Sequence, residues 1–323
     1  MIIRESFMIK PKLSIITICF NEKNIEDTCR SVAGQTWKNF EWIVVDGGST
    51  DGTLEVLERY REDMRVCISE KDDGRYHAMN KGIVRARGEY LLFLNGGDYL
   101  AHDRVLECIF EYKPIARFER YLDLRFDADI LYGEILARET GMMPWPLWYG
   151  GPQQFSLEYF AKQSLPHQAT FIRRELFEKY GLYDTTYQFA GDYEWFMRVL
   201  LLYGASSAYI PMPVSIYNFE GARGVEGDGL PVLENIKAYD KYKAMQGKLP
   251  QSPPEPPTGV PDKEIIAEVL NYNKIRLKYW KYKVFSRIAF GKMRKRYNKK
   301  RKVYKIKVQN IRRFIIEHRS NHC

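Results

Sequence analysis

The chain has 323 residues, 45% hydrophobic and 28% charged, proportions of a soluble globular protein that exclude a disordered or membrane-embedded one. The length suits one large α/β domain or two modest ones, and no self-similar period marks a solenoid. The formal net charge of +9 is unevenly spread: residues 274–313 hold 18 of the 50 basic residues and no acidic one, leaving 32 basic against 41 acidic residues elsewhere, a net −9.

An acidic body with a basic tail points to a polyanionic partner, a membrane surface or nucleic acid. The five cysteines, Cys19, Cys29, Cys67, Cys108 and Cys323, form no CxxC pair, which argues against a zinc site or a disulfide framework and fits a reducing, cytoplasmic compartment. Residues 1–10 lack the apolar core of a signal peptide. The uncharged stretch Val199–Asn218 approaches spanning length, but Gly204, Pro211 and Pro213 break it, so it reads as a helix end, a loop and a buried strand.

In chain order, Leu13–Phe20 is a continuous apolar, β-branched run suited to a strand buried on both faces. A helix over Ile25–Ala33 follows, then a strand over Glu41–Val45, a capped helix over Thr53–Tyr60, a strand over Arg65–Ser69, a helix over His77–Ala86 and a strand over Tyr90–Leu94. Strands separated by helices pair in parallel, and ligands collect at the carboxyl ends of such strands. From about residue 114 the pattern loosens to isolated strands at Ile130–Tyr132 and Ala169–Ile172, a helix at Tyr193–Tyr203 and another at about Leu233–Met245. Six prolines within Leu249–Asp262 make a stiff, extended spacer, and the basic tail lies beyond it.

Three segments bring polar groups to strand or helix ends. In Val44–Thr53, a strand ends in Asp46, Gly47 and Gly48 permit a tight turn, and Ser49, Thr50 and Asp51 are candidate caps. This serves as an ordinary strand-to-helix turn, or places Asp46 as an acceptor for the base or ribose of a nucleotide; it is neither a dinucleotide fingerprint nor a P-loop. In Phe93–Asp98, Asn95 and Asp98 can project into one cleft, where a hard oxygen ligand such as Asp98 suits Mg²⁺ or Mn²⁺; on these residues alone a simple turn is the favoured reading. In Ala190–Arg198, Asp192 sits where a helix N-cap belongs, a position that also fixes a carboxylate for general-base work.

Taken in order, Ser14–Glu22, Val44–Thr53, Asp73–Gly82, Phe93–Asp98 and Gly191–Trp195 resemble the signature series of family 2 glycosyltransferases with the GT-A fold. The resemblance covers roughly residues 11–220. It implies an α/β fold with a doubly wound, mixed but mostly parallel sheet; the helical basic C-terminal extension is read from the tail's own residues, about which the resemblance says nothing. The expected domains are a catalytic one over 1–246, with a nucleotide-binding half over about 11–113 and an acceptor-side half over about 114–225, a linker over 247–262 and a tail over 263–323.

By the same likeness Thr17 and Phe20 contact the nucleoside of a nucleotide-sugar, usually a UDP-sugar, Asp46 accepts from the uracil ring, and Asp72 and Arg75 line the nucleotide pocket. Glu22, Asn80 and Asn95 fall within the matching segments and are expected on the donor side as well. Asp98 stands in the place of the family's metal-binding Asp, although the family more often carries Asp-x-Asp or an Asp doublet. Asp192 corresponds to the catalytic base, and His167, at the head of a segment resembling the acceptor-side strand, is an acceptor-side candidate or a structural histidine. A base on one face of the sugar and a leaving diphosphate on the other imply inversion without a covalent intermediate.

In the tail, Leu277, Trp280, Val284 and Ile288 recur at helical spacing among Lys274, Lys278, Lys281 and Arg287. Such a helix suits an anionic bilayer interface or packs its stripe on the catalytic domain. The expectation is a cytoplasmic transferase, peripheral to the membrane, that builds a surface polysaccharide on a glycan or lipid-linked acceptor. Two rival classes are a nucleic-acid-binding protein using the basic tail, without a recognisable module for it, and a nucleotidyltransferase, which lacks its basic glycine-rich loop after the first strand.

Overall fold

Leu13–Cys19 (β1) is buried along its whole length, as its unbroken apolar run requires. The structure is a computed structural model and describes residues 10–111, 127–138, 144–148, 152, 155–218 and 230–245; the expected linker and basic tail lie outside the described residues. Ile25–Ala33 (α1), Phe40–Asp46 (β2), Thr53–Glu58 (α2), Val66–Ser69 (β3), Arg75–Arg85 (α3) and Tyr90–Phe93 (β4) then alternate as the sequence predicts. β1 pairs in parallel with β2 and with β4, and β2 pairs in parallel with β3.

These strands carry two cores, because both sets of alternating side chains are apolar. Ile16, Ile18, Ile43, Val45, Leu91 and Phe93 face one, which Ala78 and Met79 of α3 cover. Ile15, Trp42, Val44, Tyr90 and Leu92 face the other, with Ile25, Cys29 and Val32 of α1. The carboxyl ends of β1, β2 and β4 therefore emerge together at one edge.

The rest of the sheet departs from the simple reading. Tyr99–Leu100 (β5), Val105–Phe110 (α4), Ile130–Arg138 (β6), Trp145–Trp148 (β7), Leu157–Phe160 (α5), Thr170–Arg173 (β8), Arg174–Tyr180 (α6), Gly191–Met197 (α7), Ser207–Asn218 (β9) and Leu230–Lys243 (α8) complete it. Nine strands among the described residues form one sheet in the order β3-β2-β1-β4-β8-β6-β9-β5, with β7 on β6. β8 enters antiparallel between β4 and β6, so the sheet is mixed. The turn that precedes β8 thus stands at the same edge as the end of β4.

The helix expected at Tyr193–Tyr203 is two pieces, α7 and a π-helical turn at Arg198–Leu202. Asp192 is not the N-cap of α7; Ala190 holds that position, and Asp192 lies in the first turn. Trp195 anchors the helix by stacking on Phe177 at 4.2 Å and donating its indole N–H to the Gly181 carbonyl at 2.9 Å, a contact worth roughly 1 kcal/mol beyond its buried area.

α8 holds α7 from the other side. Glu234 accepts the backbone N–H groups of Gln188, Phe189 and Ala190 at 2.8, 2.8 and 3.0 Å. Buried Glu194 accepts from Lys241 at 2.8 Å and from the Tyr242 hydroxyl at 2.7 Å. No helix among the described residues is long and apolar enough to cross a membrane.

Candidate active site

A cavity of about 750 Å³ opens at the carboxyl edge of the sheet. Phe20 and Glu22 reach it from the end of β1, Gly47 from the end of β2, Lys71, Asp72 and Arg75 from the β3–α3 connection, and Asn95 and Asp98 from the end of β4. His167 and Gln168 enter from the turn before β8, and Tyr217 and Asn218 from the end of β9. The Phe20 ring is 57% exposed, an apolar plate at the mouth. Arg75 opens α3 and lays its guanidinium over the Phe189 ring at 4.8 Å. Asp72 is held by Lys81 at 2.7 Å.

On one side of the cavity four side chains from four separate segments form a chain of hydrogen bonds. Asn95 Nδ2 lies 3.0 Å from His167 Nε2, and His167 Nδ1 lies 3.0 Å from Asp192 Oδ2. The Tyr76 hydroxyl, on α3, donates to Asp192 Oδ1 at 2.7 Å. Burial pushes the Asp192 carboxyl up, but the hydrogen bonds and charge supplied by His167 and the bond from Tyr76 outweigh it, and the group ends below the usual carboxylate value. Burial and the neighbouring Asp192 charge push the Tyr76 phenol well above its ordinary value, so it remains a donor. Gly191 permits this approach, because a Cβ there would stand 2.8 Å from the Tyr76 ring.

Three expected donor residues are placed elsewhere. Thr17 is fully buried, and its hydroxyl accepts the indole N–H of Trp42 at 3.0 Å; its parity in β1 turns it into the core. Asp46 is likewise 0% exposed. Its Oδ2 accepts from Gly48 N–H at 3.0 Å, Ser49 N–H at 2.9 Å and the Ser69 hydroxyl at 2.7 Å, and its Oδ1 accepts from the Ser49 hydroxyl. It presents no oxygen to the cavity in this arrangement and ties the β2 turn to β3. Asn80 spends its amide on the backbone of Tyr183, donating at 2.9 Å and accepting at 3.1 Å. Lys71, Tyr76, Gln168 and Asn218 were not singled out by sequence; Tyr76, inside the Asp73–Gly82 segment, and Gln168, beside His167 in the segment resembling the acceptor-side strand, carried a signal.

Residues 14–181 match the family model "Glycosyl transferase family 2", and the chain is 32% identical over 215 residues to the PGL/p-HBAD biosynthesis glycosyltransferase of Mycobacterium bovis (strain BCG / Pasteur 1173P2), covering 65% of this chain and 78% of that protein. The chain belongs to glycosyl transferase family 2. It is an inverting, GT-A-type glycosyltransferase that uses a nucleotide-sugar. Solved structures share the fold. S. aureus TarS 1-349 in complex with UDP-GlcNAc has a TM-score of 0.53 at 17% identity, covering 90% of this chain and 79% of that one; against the longer TarS structure the match spans 43% of that chain. The mannosyltransferase PcManGT from Pyrobaculum calidifontis, in complex with GDP-Man and Mn²⁺, has a TM-score of 0.51 at 15% identity, covering 95% and 86%.

In this transferase the turn after β4 is where the resemblance expects a cation. Among the described residues no group of three or more His, Cys, Asp or Glu side chains could hold one. Asp98 is 4% exposed, and its Oδ1 already accepts the Asn218 N–H at 3.1 Å. Burial, with help from the charge of Glu22 and against the pull of Asn218, His167 and Gln168, pushes its carboxyl up to about 7. At position 97, Gly97 has φ +91°, and a Cβ there would stand 3.2 Å from the Glu22 carboxyl carbon. These protein donors do not by themselves complete a ligand set for a metal ion.

Proposed function

We propose that the chain transfers a sugar from a UDP-sugar to a hydroxyl group of a glycan or lipid-linked glycan, in the assembly of a surface polysaccharide or glycolipid. The observation that carries the reading is the cavity where the β1, β2 and β4 ends meet the Asn95–His167–Asp192–Tyr76 chain: a donor pocket and a proton acceptor share one wall. The exposed Phe20 ring is placed to stack on a base, and Lys71 and Arg75 supply positive charge where a diphosphate leaves. The acceptor hydroxyl gives its proton to the His167–Asp192 pair as its oxygen attacks the anomeric carbon from the face opposite the diphosphate, which departs with the bonding electrons.

The names of the relatives support the acceptor class, since the mycobacterial protein is named for PGL/p-HBAD biosynthesis. The basic segment 274–313 suits an anionic membrane surface on which a lipid-linked acceptor is presented. A thermal-shift panel of UDP, GDP, UDP-sugars and GDP-mannose, with and without Mn²⁺, tests the donor, because a ligand that binds only the folded state raises its melting temperature. Stabilisation by UDP and UDP-sugars is expected; stabilisation by GDP alone would reassign the donor, and stabilisation by RNA but by no nucleotide would remove the reading.

A further inference from the structure

We infer that the outward face of α8 is a membrane-contact surface, with Val232, Leu233 and Ile236 entering the headgroup–acyl boundary of an anionic phospholipid bilayer. These three side chains are 61%, 60% and 51% exposed. The opposite face of the helix is spent on the protein, since Glu234, Ala238 and Tyr242, spaced four residues apart, are all buried. Residues so spaced share one stripe of a helix, which leaves positions 232, 233 and 236 turned away from that seam. A solitary exposed apolar residue needs no explanation. Among the described helices, however, α8 is the one that exposes more than one large apolar side chain.

Charge and area select the occupant. Lys237 and Lys243 are exposed on the turns at and beyond Ile236, against a single exposed acidic residue of the helix, Asp240; Lys241 is compensated by Glu194 at 2.8 Å. Further along the sequence, residues 274–313 add 18 basic residues and no acidic one. Apolar side chains flanked by lysines are the composition of a helix that lies in the interface of an anionic bilayer. A second copy of the chain fits less well, because a stable pairing buries about 800 Å² per partner, which three side chains on the first turns of one helix do not supply. An acidic protein partner would answer the lysines and leave the apolar trio in water.

The same helix braces the segment that leads into α7. Glu234 accepts the N–H groups of Gln188, Phe189 and Ala190, just before Asp192, and the Phe189 ring lies against Arg75 of the cavity wall. A bilayer that holds α8 by its outer face therefore sets the tilt of the helix whose inner face positions that segment. On the acceptor class proposed above, a lipid-linked glycan then meets a body that is already oriented. The basic segment attracts from a distance, and salt screens it; the apolar trio holds at short range, and salt does not weaken it. That difference separates the two contributions.

The test is co-sedimentation of the full chain with vesicles of phosphatidylcholine and phosphatidylglycerol in about 1 M NaCl, where screening shortens the reach of a charge to about 3 Å. The parent protein should stay bound. The triple variant Val232→Gln, Leu233→Gln, Ile236→Gln should bind at least about tenfold more weakly, with a melting temperature within about 2 °C of the parent because the replaced side chains face solvent. Ile236→Trp, which enlarges the apolar wedge and adds a ring suited to the interface, should bind at least about threefold more tightly. Equal binding by the parent and the triple variant, or release of the parent by salt, overturns the inference and leaves the basic segment as the membrane contact. If the triple variant melts early, Ile236→Trp decides alone, and unchanged affinity in it overturns the inference. A parent dimer in lipid-free sedimentation that the triple variant dissolves gives the face to a second copy instead. Vesicle binding is read without nucleotide, so a failure of the UDP-sugar reading leaves every one of these outcomes intact.

Discussion

The Tyr76 hydroxyl stands 2.7 Å from Asp192 Oδ1 and 2.7 Å from the carbonyl oxygen of Phe189, so one phenol proton on α3 is shared between the carboxylate and the backbone leading to it. Because the folded value of Asp192 is depressed, its contribution to stability is present above the unfolded carboxylate value and is lost as pH falls through the folded one. Tyr76→Phe should therefore cost about 1–2 kcal/mol at pH 7 and less at a pH below the folded value of Asp192. Urea melts at the two pH values measure this, and an equal cost at both would detach Tyr76 from the charge.

Asp98 has the opposite sign. Its carboxyl is raised to about 7, so between the ordinary carboxylate value and that point the folded chain holds a proton that the unfolded chain has released, and stability falls as pH rises. The penalty at pH 8 is at most about 4 kcal/mol, the free energy of ionising a buried carboxyl whose value lies that far above its ordinary range. Asp98→Asn should melt above the parent protein at pH 8 and with it at pH 4. If Mn²⁺ raises the melting point of the parent at pH 8 and not that of the variant, a cation does use Asp98 once the charge is available.

Asp46→Ala separates a turn from a base-binding site. Removing a buried carboxylate that accepts four hydrogen bonds from Gly48, Ser49 and Ser69 should cost about 3 kcal/mol or more. The UDP dissociation constant of the folded protein should stay within about twofold. Calorimetric titration at low temperature checks it, and a tenfold loss of UDP affinity would restore the uracil contact that the resemblance implies.

Glu234→Ala strands the N–H groups of Gln188, Phe189 and Ala190, three donors immediately before α7. A loss of about 2–3 kcal/mol is expected, together with a lower rate of UDP release and little change in UDP binding, since Glu234 does not line the cavity. Thermal melts and an assay of UDP release from a UDP-sugar on the same preparation read both effects.

The first half of the fold was legible because β1, β2 and β4 are apolar on both faces and separated by helices of ordinary length. β5, β7 and α5 escaped because two- to four-residue elements have too short a period to read, and the antiparallel entry of β8 depends on contacts between distant segments. Of the site, Phe20, Glu22, Asp72, Arg75, Asn95, Asp98 and His167 were legible as strand-end or motif residues and do line the cavity. Thr17 and Asp46 carry the same kind of signal but are consumed by Trp42 and by the β2 turn. No sequence pattern tells which side of a strand end a hydroxyl or carboxylate will turn to. The pairing of His167 with Asp192, 25 residues apart, is likewise a product of the sheet order rather than of spacing.

α8 also decides where the polypeptide can be shortened. A chain stopped at residue 229 would lose Glu234, Lys241 and Tyr242 along with everything basic beyond them, and α7 would be left without the groups that brace Ala190 and Glu194. A chain stopped after residue 245 keeps that brace and discards only the proline-rich segment and the basic residues. Inactivity of the shorter protein would therefore say nothing about membranes or nucleic acid, whereas the behaviour of the longer one isolates the contribution of the charged terminus from that of the catalytic body.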